Sequence, residues 1–172
     1  TDDNFATVVS AVEEGRRIYD NILKAIQFLL SSNVGEIIVL FLAILITPVL
    51  RNAFGIDIKL IEPLLPIHIL WINLVTDSLP AIAIGLEPPE KDIMNRKPVD
   101  SKKGLFADGL WNKIIVEGIM LGMLTLIAFS IGNKYYGIEV GRTMAFIAIG
   151  VLELVHSFNI KSEQSIFKVG IF

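Results

Sequence analysis

Residues 22–50 decide the fold, and they read ILKAIQFLLSSNVGEIIVLFLAILITPVL. Only two of these residues, Lys24 and Glu36, are charged. A helix needs roughly 20 apolar residues to cross a hydrocarbon core about 30 Å thick, because each residue advances it by about 1.5 Å. The block is long enough, so we expect it to form a membrane-spanning helix.

Three further apolar blocks follow, at residues 63–86, 110–132 and 143–160. The chain of 172 residues is 53% hydrophobic and 19% charged, with a mean hydropathy of +0.63, which excludes a disordered chain. The sequence therefore predicts an all-α fold, a polytopic membrane helical bundle with four transmembrane helices. The alternative is a soluble protein in which these blocks are buried core helices.

The basic residues indicate how such a bundle is oriented. Ten Lys and Arg residues lie in segments 16–24, 87–109 and 161–172, against four in the connections 51–62 and 133–142. Because basic residues favour the cytoplasmic side, both chain ends and the 87–109 loop are predicted to be cytoplasmic. A net charge of −3 without a long basic run argues against a nucleic-acid partner.

The segment before the first crossing predicts a helical stalk. Residues 16–50 form a 35-residue stretch, about 50 Å if it is one helix, which exceeds the membrane thickness. Gly15 is a possible interruption just before it. Such a stalk either transmits motion from a cytoplasmic domain or is an ordinary amphipathic helix beside the membrane.

Three carboxylates, those of Glu36, Asp77 and Glu153, lie well inside apolar blocks without a Lys or Arg at comparable depth. An ionised group near the bilayer centre costs several kcal/mol, so each must bind a proton or a cation. The alternative is a neutral, hydrogen-bonded acid that holds two helices together.

Amide and hydroxyl side chains next to these acids favour a cation. Asn33 precedes Glu36 by three residues, and Asn73, Thr76 and Asp77 lie at positions i, i+3 and i+4, so each set shares a helix face. Six oxygen donors are thus candidate ligands: Asn33, Glu36, Asn73, Thr76, Asp77 and Glu153.

This all-oxygen set suits a hard ion such as Ca²⁺, or an alkali cation, and disfavours soft metals. Pro80 has no N–H and should release the carbonyl of Thr76, so we expect the helix to be locally unwound there and to offer backbone oxygens.

For the other polar residues and the glycines in the blocks, the sequence predicts less specific roles. His156 lies one turn beyond Glu153, and a hydrogen bond between them would make the site pH-sensitive. Glu117 is interpreted as interfacial or structural, and His68 as a helix cap or part of an aromatic belt. Gly118 and Gly122 form a GxxxG pair that permits close helix packing, with Gly35 as a complementary small surface.

Four motifs together resemble one family. They are TDDNFATVVSAVEEGR (1–16), SSNVGEI (31–37), LWINLVTDSLPA (70–81) and EPPEKDIMNRKP (87–98). Over the whole chain the sequence resembles the C-terminal part of P-type ATPases, nearest to the calcium pumps of the sarco/endoplasmic reticulum type and their bacterial relatives. The resemblance implies transmembrane helices five to eight of such a pump.

The resemblance also implies an organisation. Residues 1–15 would end the cytoplasmic phosphorylation domain, 16–50 would be the stalk and first crossing, 87–109 the loop that contacts that domain, and 161–172 a tail leading to further helices. Mg²⁺ and ATP would bind elsewhere in the parent protein, so this chain alone would not be catalytic. Its partners would be the lipid bilayer and the rest of the polypeptide, in the plasma membrane of a bacterium.

By the same resemblance the chain binds transported Ca²⁺, exported in exchange for protons. One Ca²⁺ site would use Asn33, Glu36, Thr76, Asp77 and Glu153, and a second would use Asn73 and Asp77. His156 stands where that family has an asparagine, which leaves the pH response of the first site open. The alternatives are a sodium/potassium or proton pump of the same architecture, and a non-enzymatic channel or secondary transporter.

Overall fold

A computed structural model of the chain describes residues 5–54, 62–90, 92–98, 104–106 and 109–161. Within these ranges every regular element is a helix. The five α-helices are α1 (Phe5–Phe54), α2 (Pro66–Trp71), α3 (Ser78–Gly85), α4 (Leu110–Tyr136) and α5 (Ile138–Lys161). A π-helix, Ile72–Asp77, joins α2 to α3, and a short 3₁₀-helix covers Ile93–Asn95.

Helix α1 contains the whole of the predicted stalk and first crossing. Its 50 residues correspond to about 75 Å, more than twice the hydrocarbon thickness. Gly15 does not interrupt the helix, and Pro48 lies inside it near its end. Residues 1–4 of the predicted phosphorylation-domain segment and most of the predicted tail, 162–172, lie outside the described residues.

Three helical segments of the described chain are long and apolar enough to cross a membrane: Phe5–Pro48, Pro66–Gly85 and Leu110–Tyr136. The prediction of an all-α membrane helical bundle is therefore confirmed, and the chain is an integral membrane protein. Helix α5 has 24 residues, about 36 Å, but it is not one of these three. The fourth crossing stays a prediction.

Helix α4 packs against both α1 and α5, and it is the centre of the bundle. Gly137, with φ of +90°, reverses the chain between α4 and α5 within one residue. The largest buried apolar cluster of the described residues joins α1, α2, the π-helix, α4 and α5, whereas Ile37, Phe41 and many similar side chains remain exposed on the outside. An apolar outer surface of this kind suits a lipid environment.

Glycines set the close approach of α1 to α4. A Cβ atom on Gly122 would lie 2.9 Å from the carbonyl oxygen of Gly35, and one on Gly118 would lie 3.0 Å from that of Ser31. The close packing predicted from Gly118 and Gly122, with Gly35 opposite, is therefore confirmed.

The segment that follows α3 is attached to α1 by hydrogen bonds. Nη1 of Arg16 donates to the carbonyl oxygens of Ile93 (2.7 Å) and Arg96 (2.8 Å). The amide of Asn21 donates to those of Gly85 (3.2 Å) and Glu87 (2.8 Å). Backbone groups of the loop are thus bound directly to side chains of the stalk.

Ion pairs strengthen the same attachment. Nζ of Lys24 lies 2.7 Å from Oε1 of Glu90, and Arg96 pairs with Glu90 and, at 3.0 Å, with Asp20. Burial would raise the pKa of Glu90, but the hydrogen bonds and charges of Lys24 and Arg96 hold it below its ordinary value.

Replacing Glu90 with Gln should destabilise the full-length protein by about 1–2 kcal/mol at pH 7. A carboxylate with a lowered pKa stabilises the fold above its unfolded pKa and loses that contribution as the pH falls through its folded pKa. The difference in free energy of unfolding between wild type and Glu90→Gln should therefore become smaller below about pH 4.5. Thermal unfolding in detergent from pH 3 to 7 measures it, with Glu14→Gln, an exposed glutamate on α1, as the control. A difference independent of pH would contradict the expectation.

Candidate cation site

Three carboxyl groups from three different elements are buried in the bundle. Glu36 lies on α1, Asp77 ends the π-helix and Glu153 lies on α5, and their exposed fractions are 4%, 1% and 0%. They are close enough for their charges to interact. The structure therefore brings together the three acids that the sequence singled out.

Glu36 has a hydrogen-bonding partner from the neighbouring element. Nδ2 of Asn73 lies 3.1 Å from Oε1 and 2.9 Å from Oε2 of Glu36, and 3.0 Å from the carbonyl oxygen of Ile69. Two of the predicted ligands thus contact each other across the interface between α1 and the π-helix. The Asn73 side chain presents its N–H groups to Glu36, and rotating the amide group by about 180° would present its oxygen instead.

Asp77 and Glu153 are different, because all four of their carboxyl oxygens are buried and none has a hydrogen-bond partner among the described residues. The hydroxyl of Ser32 is beside Asp77 but makes no hydrogen bond of normal geometry. Buried unpaired carboxylates are strongly disfavoured. These two side chains therefore need a proton or a cation.

The remaining two predicted ligands lie at the margin of the cluster. Asn33 is half-buried, and its amide donates to the carbonyl oxygen of Leu29 at 2.6 Å. Thr76 is half-buried and lines a cavity of about 440 Å³ between α3, the π-helix and α5. Neither is hydrogen-bonded to the three carboxyls within the described part of the chain. Likewise, no three His, Cys, Asp or Glu side chains in that part form a ready metal site.

The backbone beside Asp77 departs from the α-helix, although not in the predicted form. Residues 72–77 are π-helical rather than unwound, and the Ser78 hydroxyl donates to the carbonyl oxygen of Asn73 at 3.1 Å. Bonds from i to i+5 keep backbone groups paired, as an apolar environment requires, while Pro80 still withholds one donor. Single π-helical turns are frequent at functional sites.

The predicted hydrogen bond between His156 and Glu153 is wrong, because none joins these two side chains within the described chain. Nε2 of His156 lies instead 2.8 Å from the hydroxyl of Ser31 and 3.6 Å from Oε2 of Glu117. The imidazole therefore faces α1 and α4. The spacing of Glu153 and His156 places both on the buried side of α5, but the neighbours of each depend on the helix it meets there.

Gln27, Ser31, Glu117 and His156 form a second polar cluster, which the sequence analysis did not predict. Nε2 of Gln27 donates to both carboxyl oxygens of Glu117, at 2.7 and 2.9 Å. Gln27 and Ser31 lie four residues apart on α1, which is the only signal in the sequence that could have placed them on one face.

His68 keeps its predicted capping role, since its Nδ1 accepts from the backbone N–H of Leu65 at 3.3 Å.

A membrane helical bundle with carboxyl groups buried between its helices is typical of proteins that bind or move ions. A family model described as "Cation transporting ATPase, C-terminus" matches residues 61–172. The chain belongs to this family.

Similar proteins have names that agree with the family. The chain is 46% identical to Calcium-transporting ATPase 1 of Bacillus cereus over 190 aligned positions, which cover 100% of the chain and 20% of that protein. It is 45% identical to a calcium-transporting ATPase of Bacillus subtilis, over 96% of the chain and 18% of that protein. Calcium-transporting ATPase 1 of Lactococcus lactis is 37% identical over 99% of the chain and 18% of its own length. The chain spans about a fifth of the length of these curated relatives.

Proposed function

We propose that the chain is the cation-binding transmembrane part of an ATP-driven P-type pump that exports Ca²⁺ in exchange for protons. One observation carries the proposal: Asp77 and Glu153 bury four carboxyl oxygens that have no hydrogen-bond partner in the described part of the chain, and Glu36 is close enough to both for their charges to interact. Ca²⁺ takes 6–8 oxygen ligands, many of them carboxylates. The names of the similar proteins support Ca²⁺ as the ion.

Each candidate ligand has a defined role in this proposal. Glu36, Asp77 and Glu153 supply the negative charge that compensates Ca²⁺. Neutral oxygens from Asn33, Asn73 and Thr76 complete the coordination, with the Asn73 amide turned so that its oxygen replaces the N–H groups now on Glu36. When the cation leaves, protons neutralise the carboxylates, because an ionised carboxylate is costly at this depth. Proton return is thus a consequence of burying the ligands.

ATP and Mg²⁺ bind elsewhere in the parent protein, which makes the parent the enzyme and this chain its ion-binding region. Both chain ends and the 87–109 loop are cytoplasmic, α5 is the fourth crossing, and the membrane is a bacterial plasma membrane. The loop contacts the phosphorylation domain, and its attachment to α1 through Arg16 and Asn21 supports a joint movement of loop and stalk.

The full-length protein, reconstituted in vesicles, should hydrolyse ATP in a Ca²⁺-dependent manner and accumulate Ca²⁺. Accumulation should make the lumen more alkaline, because protons leave it in exchange for Ca²⁺, and an entrapped pH dye measures this change. A Ca²⁺ ionophore should abolish accumulation but not hydrolysis. Stimulation by Na⁺ or K⁺ without a response to Ca²⁺ would favour another cation pump, and Ca²⁺ flux that needs no ATP would favour a channel or secondary transporter.

A further inference from the structure

The cluster of Gln27, Ser31, Glu117 and His156 joins α1, α4 and α5 outside the candidate cation site. His156 is 3% exposed, and the side chain of Glu117 is 24% exposed. An imidazole and a carboxyl group 3.6 Å apart are too close to titrate independently. The proposed cation ligands leave this pair without a role.

Hydrogen-bond chemistry indicates where a proton sits in this cluster. The Ser31 hydroxyl has one hydrogen, and the carbonyl oxygens of Gln27 and Phe28 lie 2.7 and 3.0 Å from it. When the hydroxyl donates to either carbonyl, its oxygen must accept from Nε2 of His156. The Nε2 hydrogen then lies between the oxygens of Ser31 and Glu117, where a carboxylate would draw it.

Few other charges reach the pair. Helix α1 presents Gln27, Ser31 and the ring of Phe28 to it, and none of these is charged. On α4, Lys113 interacts with Glu117, and on α5 the nearest acid is Glu153, one helical turn away. Lys24 and Lys161 lie towards the end of the bundle, where they pair with Glu90 and Glu87 respectively.

We propose that Glu117 and His156 form a proton-binding site that holds one shared proton and is distinct from the cation ligands. With the proton bound, the pair is neutral overall. Without it, the pair carries one negative charge, about one helical turn from Glu153. A cation bound beside Glu153 therefore favours loss of this proton, and by reciprocity the proton weakens cation binding.

The inference rests on the proposed function, because it concerns the effect of this proton on Ca²⁺ binding. It predicts that the apparent Ca²⁺ affinity falls on acidification, partly because of this pair. The apparent Ca²⁺ affinity of wild type falls by some factor from pH 8 to pH 6. In a variant whose pair cannot titrate, this factor should be smaller by at least about fivefold. The variant should also release fewer protons on Ca²⁺ binding, by up to about one per protein.

Equilibrium Ca²⁺ binding and proton release by the purified full-length protein in detergent, without ATP, test the inference. His156→Asn keeps an amide near Ser31 but cannot titrate, and Glu117→Gln keeps an oxygen for Gln27 but carries no charge. The two variants alter different helices, so either one that folds is informative. Ser157→Ala is the matched control, because within the described ranges that hydroxyl donates only to the carbonyl oxygen of Leu154 in its own helix.

We expect both variants to release fewer protons and to show a flatter pH profile, while Ser157→Ala matches wild type. A wild-type protein that binds Ca²⁺, with variants whose proton release and pH profile are unchanged, would overturn this inference and leave the proposed function intact. A wild-type protein that binds no Ca²⁺ from pH 6 to 8 would overturn both.

Discussion

Asp77→Asn should remove most of the stabilisation of the full-length protein by Ca²⁺. A ligand that binds only the folded state stabilises it by about 4 kcal/mol at 1,000 times its Kd. Loss of a partner outside the first coordination sphere already costs about 10–100-fold in metal affinity. Loss of a charged ligand should therefore lower the affinity at least about a hundredfold. At 1,000 times the wild-type Kd the stabilisation should then fall from about 4 to at most about 1.4 kcal/mol, and Ca²⁺-dependent ATP hydrolysis should need at least about a hundredfold more Ca²⁺ than in wild type.

The same substitution should leave the Ca²⁺-free protein at least as stable as wild type, because both oxygens of Asp77 are buried and neither has a hydrogen-bond partner among the residues that the structure describes. Asn has nearly the same volume and no charge to desolvate. Thermal unfolding in detergent, with a Ca²⁺ chelator and with saturating Ca²⁺, separates the two effects.

The control for Asp77→Asn is Glu139→Gln, since the side chain of Glu139 is 81% exposed. It should keep the full increase in unfolding temperature with Ca²⁺. If Asp77→Asn also kept this increase, Asp77 would be a structural, protonated acid rather than a ligand. A variant destabilised with and without Ca²⁺ would point to the same conclusion.

Helices were predictable because apolar blocks of sufficient length have few alternatives. Residues 16–50 were expected as one helix, and α1 includes them all. The approach of Gly35 to Gly122 was also predictable, since small residues four apart mark a surface that admits another helix. For α5 the prediction of a crossing rests on weaker grounds, because Glu153 and His156 interrupt its apolar sequence, and both side chains are buried in the bundle.

The candidate site was predictable in its composition and less so in its contacts. Three acids in apolar blocks had to be buried, and they are. Which donor meets which acid depends on the rotation of each helix about its axis, and a single sequence does not specify rotation. The amide of Asn73 meets Glu36, whereas His156 turns away from Glu153 towards Ser31. The π-helix adds to this difficulty, since it shifts the faces of the residues that follow it.

Gly122→Ala should destabilise the full-length protein by about 1–3 kcal/mol, the usual cost of overpacking. The added methyl group would lie 2.8 Å from Cγ2 of Ile38 and 2.9 Å from the carbonyl oxygen of Gly35. The side chain of Ile38 can adjust in part, but the backbone oxygen moves only if α1 moves away from α4. Thermal unfolding in detergent measures the loss.

Gly15→Ala is the matched control, because Gly15 is also helical and a Cβ there meets nothing within 4 Å. Alanine favours the helix by about 0.5–1 kcal/mol over glycine, so this variant should be slightly more stable than wild type. The same chemical change therefore has opposite expected signs at two positions. Equal effects at both positions would show that α1 and α4 do not depend on this contact.

The displacement caused by Gly122→Ala also has a consequence for the candidate site. Gly35 directly precedes Glu36, so a shift of α1 away from α4 moves that carboxyl relative to Asn73 and Asp77. Ligand positions must be held within about 0.5 Å for a site to keep its affinity. Gly122→Ala should therefore lower the apparent Ca²⁺ affinity although it changes no candidate ligand, while Gly15→Ala should leave it unchanged. We would test this by equilibrium Ca²⁺ binding to the two variants, at a temperature where both are folded. An unchanged affinity in Gly122→Ala would mean that the contact between α1 and α4 does not position Glu36.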